Sequence, residues 1–278
     1  MIKNIKPLGF MWETRDPFLF CVHHNDAYPV GDGKMGPASS LSGRNIGQDF
    51  DQKDGWNMYH GRQIPGFPAH PHRGFETVTA VLNGLVDHHD SAGATGRYGN
   101  GDVQWMTAGS GLQHSEMFPL VHDNQPNPME LFQIWINLPA KSKTAEPAFK
   151  MLWSESIPVV QSHDKEGRKT ETRVLAGKFE SASAPSPAPD SWAAKSTNQV
   201  AIWVMTLEAN AEFVLPSSEV GVNRDLYFYE GNTINIAGKN IPEYHALELT
   251  TPDEIKIKNG GEQSRILLLQ GKPINEPV

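Results

Sequence analysis

Residues 65–76 read Pro-Gly-Phe-Pro-Ala-His-Pro-His-Arg-Gly-Phe-Glu, and residues 107–116 read Thr-Ala-Gly-Ser-Gly-Leu-Gln-His-Ser-Glu. On a β-strand, side chains two apart project to one face. His70 and His72 therefore aim two imidazoles at one point, and His114 and Glu116 aim an imidazole and a carboxylate. Pro71 removes a ladder donor between the first two, which suits a strand start or edge near a barrel mouth. On neighbouring strands of a small barrel, the two pairs converge as three nitrogen donors and one oxygen donor.

A single His-x-His or His-x-Glu is more often a surface accident than a metal site. Two of them in one domain, each beside a glycine turn and in a strand context, point to a metal. Donors without a thiolate suit Fe(II), Mn, Co, Ni, Cu or Zn. Four protein ligands on a six-coordinate ion leave two positions open, as dioxygen or a chelating substrate requires. A closed structural zinc site fits less well, because such sites favour cysteine and Cys21 is the only one. Glu76 is read as a carboxylate that orients an imidazole rather than as a fifth ligand. Of His88 and His89, one is expected to face inward and one to be solvated. His23, His24, His60, His122, His163 and His245 lack partners at ligand spacing and are read as surface residues. Trp105 and Phe75 read as core, although aromatic walls around a metal also suit a flat ligand.

Working outward, 75–82 is strand-like and ends at Asn83-Gly84, a strong hairpin signal. Segments 85–89, 103–107 and 131–138 alternate in the same way. Beyond residue 140, short β-rich runs recur at 173–175, 201–207, 213–215, 226–230, 233–236, 246–249, 254–257 and 266–269. Many short strands with little helical periodicity imply sandwiches or barrels rather than a parallel α/β sheet. The expected fold is all-β, two tandem barrels, divided as 1–147 and 148–278. The Pro- and Ser-rich stretch 181–190 is read as an excursion within the second half. A weak repeat aligns the hairpin at Gly84 with that at Gly231. Its offset puts Ser217 and Glu219 where His70 and His72 stand, so the second barrel is expected to be metal-free.

Composition sets the outer bounds. The chain has 278 residues, enough for two ordinary domains, and a net charge of 24 − 32 = −8. An acid surplus disfavours direct nucleic-acid binding. No apolar run approaches a membrane span and no leader pattern opens the chain. It reads as soluble, intracellular and cytoplasmic, and is expected to act as a monomer.

The stretches HPHRGFETVT, GDVQWMTAGSGLQHSEM and LFQIWINLP resemble the pirin family of the cupin superfamily. His70, His72, Glu76 and Gly84 meet one general cupin element, and Gly109 through His114 the other. The closing LLLQGKPINEPV extends the likeness more thinly. The chain ends at Val278, where family members run on through a terminal helix, so it reads as a shortened member or one lacking a tail. The resemblance implies a bicupin with one metal, Fe(II) by family habit, held by His70, His72, His114 and Glu116. It also implies two readings of function. One is a quercetin 2,3-dioxygenase, with Glu116 as general base, a flavonol-like substrate and dioxygen. The other is a redox-sensitive regulator that binds a protein partner such as a transcription factor.

Overall fold

Period-two alternation governs nearly every regular segment, and it folds as strands. The computed structural model describes residues 2–250 and 252–278, and its helical content there is confined to short 3₁₀ turns. None of these is long and apolar enough to cross a membrane.

A seven-stranded sheet takes the order Ile2–Pro7 (β1), His245–Leu249 (β21), Asn223–Glu230 (β18), Ser264–Gly271 (β23), Ala201–Leu207 (β16), Lys169–Ala176 (β13) and Val159–His163 (β12). Glu212–Leu215 (β17), Ile255–Asn259 (β22), Thr233–Ile236 (β19) and Lys239–Pro242 (β20) form a four-stranded sheet. A six-stranded sheet runs Ala148–Leu152 (β11), Val103–Thr107 (β8), Phe75–Asn83 (β5), Met129–Asn137 (β10), Phe18–Asp26 (β3) and Met11–Trp12 (β2). A second four-stranded sheet runs Gly66–His72 (β4), Leu112–Met117 (β9), Leu85–Asp90 (β6) and Thr95–Gly99 (β7). Lys178–Phe179 (β14) and Ala182–Ser183 (β15) make a short ribbon within the Pro-rich region.

The chain divides into two compact units. One comprises Val22–Trp135 and Ala140–Ser154; the other takes the first segment up to Cys21, Ile136–Pro139 and Glu155–Val278. A single boundary near residue 147 therefore does not describe it. The opening strand β1 pairs with β21, Ile5 opposite Leu247, so the first residues are built into the second unit. A pairing across such a separation in sequence leaves no local mark on β1.

Each unit packs its four-stranded sheet over a larger one. In the second unit Trp203, Phe213, Leu226, Phe228, Ile234 and Ile257 share one apolar core. Burying a side chain of this kind contributes about 1.5–3 kcal/mol, so the strand alternation is strongly pinned. In the first unit Val81, Val86, Tyr98, Phe118, Met129 and Leu131 belong to the corresponding cluster. The Gly84 hairpin forms as its dipeptide implies, with Gly84 at φ 85°.

Ser217 and Glu219 do not occupy the places of His70 and His72. They fall in the 216–222 connection, after β17 has ended. Only Arg73 and Gly74 join β4 to β5, whereas β17 and β18 are joined by this longer loop. The Gly84–Gly231 offset therefore fails one strand upstream of the hairpin.

Candidate metal centre

The alternation that buries one face of β4 and β9 also selects their inward side chains. His70 lies directly opposite His114, and His72 opposite Leu112, in the antiparallel β4–β9 pair. β4 reaches β9 through Gly66, at φ 125°. A Cβ there would lie 2.5 Å from the Glu116 carbonyl oxygen and 2.8 Å from Met117 Cα. No side chain is tolerated at that crossing, which sits beside the site.

His70, His72 and His114 gather so that one ring nitrogen of each lies within 4.8 Å of the others. Ring centroids are 4.8 Å apart for His70–His72, 4.5 Å for His70–His114 and 4.9 Å for His72–His114. His70 Nδ1 lies 2.8 Å from the Pro68 carbonyl, which only accepts, so Nδ1 donates and, in the neutral ring, Nε2 carries the lone pair. The Nε2 atoms of His72 and His114 are buried without a hydrogen-bond partner. Buried polar atoms are normally satisfied, and two unpaired imidazole nitrogens in one cluster are what a metal ion satisfies. The residues fit a divalent metal.

Burial, reinforced by His114 and His70, lowers the His72 pKa to about 3. Burial likewise lowers His114 to about 4, against the pull of Glu116. Both rings are therefore neutral at pH 7, the form that ligates.

Glu116 stands at the margin of this cluster, with Oε2 3.9 Å from His114 Nε2. Thr79 Oγ1 donates to Oε1 at 2.7 Å, Tyr98 OH to the same oxygen at 3.4 Å, and Gln133 Nε2 to Oε2 at 2.7 Å. Burial raises the Glu116 pKa, but His114 and the Thr79 hydroxyl outweigh it and hold the carboxyl below its ordinary range. Glu76 accepts from Trp105 Nε1 at 3.1 Å and Thr107 Oγ1 at 2.7 Å, which ties it to β8. Phe75 and Trp135 wall the site, 5.1 and 5.3 Å from the His72 ring and 4.7 Å from each other. A shallow depression of about 440 Å³ opens beside His72, bordered by Arg73 and Gln113.

The sequence reading of other histidines needs correction. His88 is buried and His89 exposed, as alternation requires, but His88 is more than an inward polar residue. Its Nδ1 lies 3.4 Å from His114 Nδ1, and its Nε2 lies 3.0 Å from Asp90 Oδ2. The His-x-Asp spacing of His88 and Asp90 was the available signal, the same two-residue rule that singles out the other pairs. His23 and His24 are not surface residues, because the fold buries the side chains of both. His23 stacks on Phe132 at 4.7 Å and pairs with Glu130 at 2.9 Å. His24 Nδ1 lies 2.8 Å from the Tyr59 hydroxyl, which donates to Asp26 Oδ2 at 2.7 Å. Burial pushes His24 down to about 3 and Asp26 up to about 7.

Comparison with known proteins agrees with this architecture. The family model described as Pirin matches residues 9–136, and that of the Pirin C-terminal cupin domain matches 202–278. A pirin-like protein of Caulobacter vibrioides is 36% identical over 217 residues, covering 77% of this chain and 72% of its own. A Pseudomonas aeruginosa protein named "Putative quercetin 2,3-dioxygenase" is 34% identical over 217 residues, covering 78% and 71%. Among solved structures, a quercetin 2,3-dioxygenase from Acinetobacter baumannii shares the fold. It has a TM-score of 0.74 at 23% identity, over 99% of this chain and 88% of that one. These matches and the common two-barrel architecture establish that the chain belongs to the pirin family and is a bicupin.

Proposed function

We propose that this protein is a mononuclear metal dioxygenase that opens flavonols such as quercetin. The observation that carries this reading is the pair of buried, unpartnered Nε2 atoms on His72 and His114, with His70 beside them. The names of relatives in the family support the substrate class. His70, His72 and His114 would hold the ion, with Glu116 as the oxygen ligand or as the base beside it. A divalent metal bound there, Fe(II) in this reading, supplies Lewis acidity toward an enolic hydroxyl and redox chemistry toward dioxygen.

The chain's own groups do the rest. Glu116 is ionised at neutral pH and takes the proton of the flavonol 3-hydroxyl at a carboxylate oxygen. Thr79 and Gln133 fix that carboxylate from both oxygens, so its direction survives the proton transfer. Phe75 and Trp135 present apolar faces to a flat ring and keep water from one side of it. In the overall reaction, flavonol plus dioxygen gives the ring-opened phenolic ester and carbon monoxide, which balances atoms and electrons without a further reductant.

The test is oxygen uptake and carbon monoxide release by the Fe(II)-loaded protein with quercetin. Glu116→Gln is expected to retain most of the metal and lose activity by roughly 10²- to 10⁴-fold, the range for a general base. Undiminished turnover in that variant removes Glu116 from the role. No uptake with several flavonols at full metal occupancy overturns the enzymatic reading and leaves the protein-binding one.

A further inference from the structure

Behind His114 stand two more buried polar side chains, His88 and Asp90. β6 pairs with β9 so that Asp90 lies opposite His114 and His88 opposite Glu116. The exposures of Asp90, His88 and His114 are 3%, 2% and 1%, so bulk water does not choose their hydrogen-bond directions. We infer that Asp90 and His88 are positioning residues that lock His114 into the tautomer with a bare Nε2, a role that rests on the metal-site reading above.

The proton positions follow from donor and acceptor capacity. Asp90 Oδ1 accepts the backbone N–H groups of Ala92 at 2.9 Å and Ala94 at 3.0 Å. Its Oδ2 faces His88 Nε2 at 3.0 Å. A carboxylate only accepts, so His88 Nε2 carries the proton and, in the neutral ring, His88 Nδ1 carries a lone pair. His114 Nδ1, 3.4 Å away, must then donate to it. One proton per neutral ring leaves His114 Nε2 bare, and that atom is the buried one without a partner. His70 reaches the same state differently, by donating Nδ1–H to the Pro68 carbonyl.

The arrangement can be inverted by one substitution. In Asp90→Asn the side-chain oxygen must still meet the Ala92 and Ala94 N–H groups, so the amide NH₂ takes the place of Oδ2. It then donates to His88 Nε2. The His88 proton moves to Nδ1 and points at His114, whose own proton is driven to Nε2, the position a metal needs. Asp90→Ser is the contrasting variant: its short hydroxyl can cap the turn weakly but cannot reach His88, so it forces no tautomer.

Two measurements on the 278-residue chain decide the matter. Long-range ¹H–¹⁵N correlation spectra of the metal-free protein report which nitrogen of His114 is protonated. Competition with a chelator gives the Co(II) affinity, checked by its visible absorption. The expected result is Nδ1–H in the wild type and Nε2–H in Asp90→Asn, with Co(II) affinity lowered roughly 10- to 100-fold. Asp90→Ser should lose less affinity yet melt lower when metal-free, having lost more of the turn. A purely structural Asp90 predicts the reverse affinity order, because asparagine keeps the turn and serine does not. Nδ1–H persisting in Asp90→Asn, or Asp90→Ser binding Co(II) more weakly than Asp90→Asn, overturns the lock alone. A wild type that binds no Co(II) overturns the metal-site reading, and with it the purpose assigned to the lock.

Discussion

Across β4–β9, His70 stands opposite His114; across β17–β22, Phe213 stands opposite Ile257. The two four-stranded sheets have the same strand order, β4-β9-β6-β7 and β17-β22-β19-β20. Their places can therefore be matched by pairing. His72 and Leu112 correspond to Leu215 and Ile255. Glu116 with His88 corresponds to Asn259 with Ile234, and Asp90 to Ile236. One sheet turns imidazoles and carboxylates inward; the other turns Phe, Leu and Ile into a shared core. Asn259, in the place of Glu116, spends its amide N–H groups on the Leu207, Glu208 and Glu262 carbonyls. Topology thus supplies the inward positions, and the side chains set there decide between ligation and packing.

Replacing a donor with its counterpart breaks the comparison most severely. His114→Ile puts the Ile257 solution into β9 and removes the central imidazole. Metal affinity is expected to fall well beyond the roughly 10- to 100-fold typical of a lost hydrogen-bond partner. Isothermal titration or chelator competition with Co(II) measures it, and a 1:1 complex of unchanged affinity would sink the assignment of His114 as ligand.

Truncation sharpens the contrast from the other side. Phe213→Ala removes a buried ring that packs against Phe179, centroids 5.9 Å apart, and leaves a cavity. Its cost should be about 3–5 kcal/mol of stability. His70→Ala, at the matching place in a half-buried position, should cost the metal-free protein far less while weakening metal binding. Denaturant unfolding of the two variants tests this, and equal losses would mean that both sheets are held by packing alone.

Much of this contrast was legible in the residues, for a physical reason. Period-two alternation is local, so His70 with His72, and His114 with Glu116, declare a common face before any partner strand is known. The same rule marks most strands and the Gly84 hairpin. What it cannot carry is pairing across long separations. β1 gives no hint that it joins β21, and the longer 216–222 connection breaks the offset that put Ser217 and Glu219 in the place of the ligands. Depth is equally hidden: His23 and His24 look like any polar pair until the fold buries their side chains. The link from His88 to His114 needed the β6–β9 register, although the His-x-Asp spacing was there to be read.

The smallest effect expected is a slope in pH, and it too separates the sheets. His114 has a folded pKa lowered from 6.5 to about 4, and His72 to about 3. Between those values and pH 6.5 the unfolded chain binds protons that the folded one refuses. In the metal-free protein each such histidine therefore contributes a loss of stability as pH is lowered from about 6.5 toward 4, of at most about 1.4 kcal/mol per pH unit. His24, lowered to about 3 in the same unit, adds to this slope in every variant that keeps it. Asp26, raised to about 7, and Asp225, raised to about 6, contribute in the opposite direction in wild type and variants alike. His114→Ile should flatten the slope by one histidine's share, because the aliphatic side chain that serves at 257 has nothing to titrate. Unfolding free energies of wild type and His114→Ile at pH 4.5 and 6.5 give the difference directly. Parallel curves would mean that His114 is as easily protonated in the fold as outside it, and that its Nε2 is not held bare by burial.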